Sequence, residues 1–288
     1  MKDFIISTEN TCDLSINTLN NLSVSAINME YTVGDQVYGG DTGKELSYQD
    51  FYNQMKAGAK THTSMINDQR AREYLSNLLA TGKDVLHISF ASACSGTYDA
   101  FCRASKELNS ISKNKVYVID SRCECTAQGL LVKLCVEKKQ KGASLIEVKQ
   151  YGEDILHRIN SLFTVDNLKY LVAGGRVSKS SALIGNVLNV KPVLYVDKLG
   201  NLTPGSKVIS RRLSLNKIIK MTADKFSKEC PYIYVSHADC EGDANFVAKK
   251  ILDLTGAQVF IENIGPIIGA HSGPGTIAVF FVGKDRSF

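Results

Sequence analysis

Short apolar runs alternate with longer segments of helical spacing through the first half of the chain. Residues 3–7 (DFIIS), 84–90 (DVLHISF) and 115–119 (KVYVI) have the length and β-branched content of buried strands. Apolar residues spaced as on one face of a helix lie between these runs, and they predict helices ending near Gly82 and Leu108 and helices over 124–139 and 144–156. This βαβα order predicts a parallel sheet that helices cover on both faces.

The pattern changes near residue 161, where short strands and helices follow in a more varied order. Residues 192–196 and 202–209 are predicted to form an antiparallel pair around a turn. Further elements are predicted at 162–165 (strand), 166–172 (helix), 182–190 (helix), 232–236 (strand), 241–254 (helix) and 258–261 (strand). A last strand, 276–282, is expected to close the sheet. We therefore expect an N-terminal α/β lobe over 1–160 and a C-terminal mixed α/β lobe over 161–288.

The composition of the chain supports two such lobes, and its net charge bears on the kinds of partner that the protein could bind. The 288 residues are 44% hydrophobic, which is enough to fill two cores. The net charge of +5 is mild and the basic residues are interspersed, so no nucleic-acid partner is predicted. A slight basic excess suits an anionic ligand or an acidic partner, and solvated lysines explain it equally well.

The spacing of the cysteines argues against a metal site, and the hydropathy of the chain argues against a membrane-spanning segment. The eight cysteines include no CxxC pair, so no metal site is predicted, and most are expected to be small buried side chains in a reducing compartment. No apolar run approaches the roughly 20 residues that span a bilayer, and the N-terminus has too short an apolar stretch for a signal peptide. We therefore expect a cytoplasmic protein without a membrane-spanning segment.

Residues 264–275 (IGPIIGAHSGPG) are predicted to form a Gly-Pro-rich loop that carries His271. Glycines such as Gly269 would let a ligand approach the main chain, with His271 beside it. The competing interpretation is an ordinary turn with a surface histidine.

Two further polar clusters resemble this one. Thr61, Thr63 and Ser64 precede a predicted helix, where they could hold a ligand or only satisfy backbone amides. Ser95 and Gly96 lie in a small-residue turn between a strand and a helix, which is a favourable place for an anion. That turn is neither a phosphate-binding GxxxxGK[ST] loop nor a GxSxG nucleophile elbow, so nucleotide binding and serine hydrolysis gain little support.

Two basic features remain open to more than one interpretation. Arg176 follows a Gly-Gly turn and could orient a carboxylate or simply lie at the surface near a helix start. Arg211 and Arg212 lie at the start of a basic helix, which could be a partner surface or a solvated face.

In their order and spacing, these motifs resemble the DegV family. The resemblance covers residues 1–283, and its most specific carriers are SGTY (95–98), GGRVS (174–178) and IGAHSGPG (268–275). TENTCDL (8–14), THTS (61–64), IDS (119–121), QGLLV (128–132) and NVKPVL (189–194) are further matches. The family resemblance implies two α/β lobes with a long-chain fatty acid buried between them.

The resemblance also implies roles for individual residues. Carried over by motif, the carboxylate would be held by Thr63, with Ser64 beside it, by Ser95 and by His271. Gly96, Arg176 and Gly269 would support that site, and Arg211 or Arg212 would contact the catalytic subunit of a fatty acid kinase. Met65, Ile66 and Cys94 depart from the family pattern, which bears on the shape of the tail pocket rather than on the head-group candidates.

The expected function is therefore a carrier that presents a fatty acid to a kinase, with no metal, no other cofactor and no turnover of its own. Transient contact with a membrane surface would be compatible with such a carrier. Two alternatives belong to other classes. His271 and Ser95 could act as base and nucleophile, or the histidine could capture a small carbonyl compound as in the related dihydroxyacetone kinase fold. The chain could instead be a lipid-free regulatory interaction module.

Overall fold

The protein is described by a computed structural model that covers residues 3–39, 45–178 and 191–286. The helix expected at 182–190 lies outside these residues. The strands are β1 (Phe4–Glu9), β2 (Ser25–Ile27), β3 (Glu30–Val33), β4 (Gln36–Tyr38), β5 (Thr61–Ser64), β6 (Asp84–Ser89), β7 (Val116–Asp120), β8 (Ile159–Thr164), β9 (Lys191–Val196), β10 (Leu202–Val208), β11 (Tyr232–His237), β12 (Gln258–Asn263) and β13 (Ile277–Val282).

Helices separate most of these strands. They are α1 (Ile16–Asn21), α2 (Tyr48–Lys56), α3 (Asp68–Leu79), α4 (Thr97–Ile111), α5 (Thr126–Gln140), α6 (Leu145–Ile155), α7 (Lys169–Ala173), α8 (Arg211–Lys225), α9 (Glu241–Thr255) and α10 (Pro266–Ser272). Polar side chains fix several of their N-termini. Ser47, Asn67 and Ser210 each accept a hydrogen bond from a backbone N–H of the first turn, and Ser144 forms a capping box with Glu147.

The N-terminal sheet has the predicted parallel arrangement. Its strand order is β2-β1-β6-β7, and every neighbouring pair is parallel. Helices α3 and α4 pack together against this sheet, and so do α5 and α6. The carboxyl ends of β1 and β6 therefore lie side by side, where the polar segments after both strands begin.

The second sheet is mixed, with the order β10-β9-β8-β13-β11-β12. The expected antiparallel pair of β9 and β10 is present. The expectation that the last strand closes the sheet was wrong, because β13 lies inside it between β8 and β11. All six residues of β13 are apolar and buried, as a strand covered on both faces requires.

Helix α5 lies between the two sheets. It contacts β1 and β6 of the parallel sheet and β8, β11 and β13 of the mixed sheet. Its first six residues, Thr126–Leu131, are all buried, because a helix covered on all sides cannot keep a polar face there. Helices α8 and α9 cover the opposite face of the mixed sheet through a separate apolar cluster that includes Leu162, Leu215 and Phe281.

A third, small sheet with the order β4-β3-β5 is antiparallel. It packs against α10, and α2 contacts both β3 and α10. The sequence placed the hydroxyls of residues 61–64 only before a helix, whereas they belong to strand β5. The expected lobe boundary at residue 160 stays a prediction, although the strands of the mixed sheet all follow Arg158.

Candidate functional site

A cavity of about 490 Å³ lies between the turn after β6 and the inner face of the mixed sheet. This is within the range of roughly 300–1,000 Å³ that small-molecule sites occupy. Much of its lining is apolar. The apolar lining residues include Met29, Met65, Phe90, Phe163, Leu171, Val196, Leu202, Ile264, Ile267, Ile268, Ala278 and Phe280. Such a lining favours a ligand with a substantial hydrocarbon part.

Thr63 and His271 share a hydrogen bond at the wall of this cavity. Thr63 Oγ1 and His271 Nε2 are 2.8 Å apart, and both residues line the cavity. Strand β5 supplies the threonine and the last turn of α10 supplies the histidine. The other ring nitrogen, Nδ1, is buried and has no hydrogen-bond partner among the described residues. The hydrogen-bonding capacity of this nitrogen is therefore unused.

The loop expected at 264–275 was wrong in its first part, because Pro266–Ser272 form α10. Pro266 occupies the first turn, where a proline favours a helix instead of breaking one. Gly269 is needed for packing, since a Cβ at this position would lie 2.3 Å from the Tyr52 hydroxyl oxygen. His271 is thus held on a packed helix rather than on a loop, which orients its ring more firmly.

The environment of His271 disfavours the imidazolium form. Burial, followed by the positive charge of Arg176 and by His62, lowers the pKa of His271 from 6.5 to about 4. The ring is therefore neutral at neutral pH. A ligand carboxylate beside it would oppose this shift, because a nearby negative charge favours the protonated ring.

Arg176 anchors the turn on which Ser95 lies. Its guanidinium donates to the carbonyl oxygen of Cys94 from Nη2 at 3.0 Å and from Nε at 3.3 Å, and it also donates to the Gly174 carbonyl. Arg176 lines the cavity. It therefore brings a positive charge to the cavity and connects the Gly-Gly turn to the segment after β6.

Ser95 lines the cavity immediately before α4. Its hydroxyl accepts from the backbone N–H of Thr97 at 3.3 Å and is 3.0 Å from the Thr97 hydroxyl. Gly96 occupies the N-cap of this 15-residue helix without a side-chain cap. The positive end of the helix dipole therefore lies behind Ser95, as the sequence predicted. Among the described residues, the imidazole of His271 is hydrogen-bonded to Thr63, whereas the Ser95 hydroxyl lies beside that of Thr97.

The structure does not bring Ser64 to the cavity. Successive side chains of a strand point to opposite faces, and Ser64 is exposed while Thr63 is half-buried at the cavity wall. We refer below to Thr63, Ser95, Arg176 and His271 as the polar cluster.

The two arginines at the start of α8 have different environments. Arg211 forms a hydrogen-bonded ion pair with Asp243 at 2.8 Å, and its Nη1 lies 3.7 Å from Asp166. Arg212 is exposed, with its guanidinium carbon 3.5 Å from the centroid of the Phe246 ring. The structure thus leaves Arg212 more accessible than Arg211.

Sequence reasoning gave no role at the site to Gly174, Glu124 or Ser161. Gly174 lies so close to His271 that a Cβ would be 2.3 Å from Nδ1. Glu124 and Ser161 line the cavity as buried polar side chains. Glu124 had been assigned to a helix, but α5 begins only at Thr126. Glu124 and Ser161 belong to no local pattern that would signal a ligand site, and the sequence indicated Gly174 only as part of the turn before Arg176.

In residues 3–39, 45–178 and 191–286, no group of three or more His, Cys, Asp or Glu side chains is arranged to hold a metal ion. Within the same residues, no helix is both long and apolar enough to cross a membrane.

The fold and the site define an α/β protein with an apolar cavity between a parallel and a mixed sheet and a polar cluster at the cavity wall. A model described as "uncharacterised protein, DegV family" matches residues 3–284, and the chain belongs to this family. A DegV domain-containing protein of Clostridium perfringens is 32% identical over 289 residues, which cover 99% of this chain and 99% of that protein.

Solved structures show the same fold. A DegV lipid binding protein from Thermotoga maritima has a TM-score of 0.84 at 25% identity, with 100% of each chain covered. DegV of Bacillus subtilis, described as a fatty acid binding protein, has a TM-score of 0.86 at 24% identity, with 99% of this chain and 100% of that chain covered. The parallel sheet combined with a mixed sheet is therefore the architecture of DegV proteins.

Proposed function

We propose that this protein binds one long-chain fatty acid, with the carboxylate at the polar cluster and the hydrocarbon tail in the cavity between the sheets. The observation that carries the proposal is the Thr63–His271 pair at the wall of an apolar cavity of about 490 Å³. Two relatives support the proposal. The T. maritima protein is described as a lipid binding protein, and the B. subtilis protein is described as a fatty acid binding protein.

The tail would provide most of the affinity. Burying roughly fourteen methylenes at about 0.8 kcal/mol each contributes on the order of 11 kcal/mol before the costs of ordering the ligand. A hydrogen bond to a charged group contributes about 1.5–3 kcal/mol. The polar cluster therefore sets which end of the ligand enters and where the carboxylate stops.

Each member of the polar cluster has a distinct part in this proposal. The hydroxyls of Thr63 and Ser95 donate to the carboxylate, and Nδ1 of His271 can donate once it carries a proton. Arg176 contributes positive charge while its own donors hold the backbone of the turn. The carboxylate raises the pKa of His271 above its ligand-free value of about 4, so binding is accompanied by proton uptake at pH values near that pKa.

Native mass spectrometry of delipidated protein tests this proposal. Palmitic or oleic acid should add the mass of one ligand to the wild-type protein, and Ser95→Ala combined with His271→Ala should weaken that uptake on the order of tenfold or more. Ser64→Ala is the matched control, because the structure places Ser64 on the outer face of the same strand as Thr63. Failure of the wild-type protein to bind either acid would overturn the proposal, as would an unaltered double variant.

We further propose that the protein presents the bound carboxylate to the catalytic subunit of a fatty acid kinase and performs no turnover itself. The resemblance of the basic segment at Arg211 and Arg212 to the family's partner-contact segment supports this role. The exposed guanidinium of Arg212 is the better candidate for that contact, because Arg211 is already paired with Asp243.

A further inference from the structure

Polar atoms without partners are concentrated at the cavity. Four buried side-chain atoms that lack a hydrogen-bond partner among the described residues belong to residues lining it: Glu124 Oε2, Ser161 Oγ, His271 Nδ1 and Ser272 Oγ. The proposed carboxylate accounts for His271. A plain hydrocarbon tail would give no partner to the others, and an unpaired buried polar group is costly.

Glu124 is the most unusual of these residues. It is 7% exposed and lies in the turn before α5. One carboxyl oxygen, Oε1, is 3.7 Å from the Cys94 thiol that donates to it, and the other, Oε2, has no partner in the described part of the chain. Glu124 therefore lines an apolar cavity while half of the hydrogen-bonding capacity of its carboxyl group is unused.

The positively charged side chain of Arg286 does not supply the hydrogen bond that Glu124 Oε2 lacks. Arg286 donates to the carbonyl oxygens of Arg122 at 2.6 Å and of Val196 at 3.4 Å. Burial raises the pKa of Glu124 to about 8, and the charge of Arg286 opposes this only in part. Glu124 is thus mainly a neutral carboxylic acid at neutral pH, which can both donate and accept a hydrogen bond.

Ser161 offers a second polar group in the same cavity. It is 1% exposed and lies on β8, on the face that also presents Phe163 to the cavity. An aliphatic hydroxyl is the complementary ligand group, because it can accept from one of these side chains and donate to the other. A neutral acid and a serine make a site for an uncharged oxygen substituent rather than for a second ionised group.

We infer that the cavity selects a fatty acid whose chain carries a hydroxyl group, which hydrogen-bonds to Glu124 Oε2 with Ser161 as a second partner. This inference rests on the proposed function and adds the chemical class of the tail. A hydroxyl at the correct position along the chain would satisfy polar atoms that stearic acid leaves unpaired, so Glu124 would determine specificity and not head-group binding.

Competition between matched ligands tests this inference. Delipidated protein is mixed with equimolar stearic acid and one monohydroxystearic acid at a time, with the hydroxyl at carbon 3, 10 or 12, and the bound mass is read by native mass spectrometry. At least one isomer should be preferred over stearic acid on the order of five- to tenfold. Equal or weaker binding of every hydroxy isomer overturns the inference.

Two substitutions of the same residue separate a specificity role from a structural one. Glu124→Leu should abolish the preference while retaining stearic acid binding, and Glu124→Gln should keep most of it because an amide still forms hydrogen bonds. Ser161→Ala should reduce the preference in part. If Glu124→Leu changes the affinity for both acids equally, the inference is wrong. If the wild-type protein binds neither acid, the proposed function itself fails, which is a distinguishable result.

Discussion

At the scale of single residues, Gly174 packs so closely on the His271 ring that no larger residue fits there without a shift. The backbone of Gly174 reaches the imidazole only because no Cβ intervenes. The sequence indicated the glycine as part of a turn before Arg176. It could not indicate this contact, because His271 belongs to a distant segment that only the fold brings to Gly174.

Gly174→Ala should therefore weaken fatty acid binding without unfolding the protein. The added Cβ would lie 2.3 Å from Nδ1, so the ring must move and its hydrogen bond to Thr63 is lost. We expect a loss of affinity on the order of tenfold, measured by titration with palmitic acid. Gly242→Ala is a suitable control, since a Cβ there meets no atom within 4 Å. Equal affinities for the two variants would contradict the assignment of His271 to the head-group site.

The raised pKa of Glu124 predicts how the stability of the folded protein changes with pH. Its pKa is raised from 4.5 to about 8, mainly by burial, so ionisation in the folded state is unfavourable. As pH rises from about 4.5 to 8, the unfolded state loses this proton first and wild-type stability falls. Glu124→Gln cannot ionise and avoids this loss. The difference in unfolding free energy between Glu124→Gln and the wild-type protein should thus increase with pH in favour of the variant. At pH 7 this increase should be on the order of 3 kcal/mol.

Denaturant unfolding of the ligand-free wild type and Glu124→Gln at several pH values between 5 and 8 measures this difference directly. A difference that does not vary with pH, or that shrinks as pH rises, would show that Glu124 is not a buried neutral acid.

Single residues were predictable where a motif indicated them. The hydroxyl of Thr63 and the imidazole of His271 were both candidates, and the structure joins them by a hydrogen bond of 2.8 Å. Ser64 was a candidate only as the neighbour of Thr63, and the alternation along β5 turns it outward. Glu124 gave no signal, because an acidic residue near a helix start is common and usually solvated.

At the scale of elements, α10 shows where local sequence rules misled the interpretation. The segment contains Pro266 and Gly269, which suggest a loop when they are considered alone. Pro266 instead starts the helix, and Gly269 lets that helix pack against Tyr52, whose hydroxyl donates to the Ile264 carbonyl oxygen at 2.6 Å. The helical state depends on this tertiary packing, which the sequence does not display.

Strands were easier to predict than their order in the sheet. The apolar run of β13 identified a buried strand, and its length matched the structure closely. Its position between β8 and β11 depends on how the chain returns across the sheet. Periodicity along a strand reports its burial and says little about its neighbours.

Helix α8 carries the prediction about the kinase partner. Arg212→Ala should reduce acyl phosphate formation on the order of tenfold when lipid-loaded protein is mixed with ATP and the purified catalytic subunit of a bacterial fatty acid kinase. Its affinity for palmitic acid should stay unchanged, since Arg212 is exposed and contacts Phe246 rather than the cavity. Acyl phosphate is measured by trapping with hydroxylamine.

Two comparisons make the Arg212 experiment specific. Lys220→Ala removes another exposed positive charge of α8 and should have a smaller effect. Arg211→Ala should lower stability, because it leaves Asp243 without its ion pair. Unchanged acyl phosphate formation by Arg212→Ala would contradict the assignment of this side chain to the partner surface.

At the scale of the whole molecule, the cavity is a consequence of how the parallel sheet, the mixed sheet and α5 are stacked. Helix α5 fills part of the space between the sheets, and the cavity occupies space lined by the turn after β6, α10 and β8. The two-sheet architecture was predictable from the order of strands and helices. The cavity was not predictable from composition, because apolar residues that line a cavity and those that fill a core have the same pattern.

The crystal structure of the protein loaded with palmitic acid tests the central claim most directly. We predict one ligand, with its carboxylate within hydrogen-bond distance of Thr63 Oγ1 and His271 and its tail lying beside Phe163, Ile267 and Phe280. A tail that lies outside the cavity, or a carboxylate remote from the polar cluster, would contradict the account.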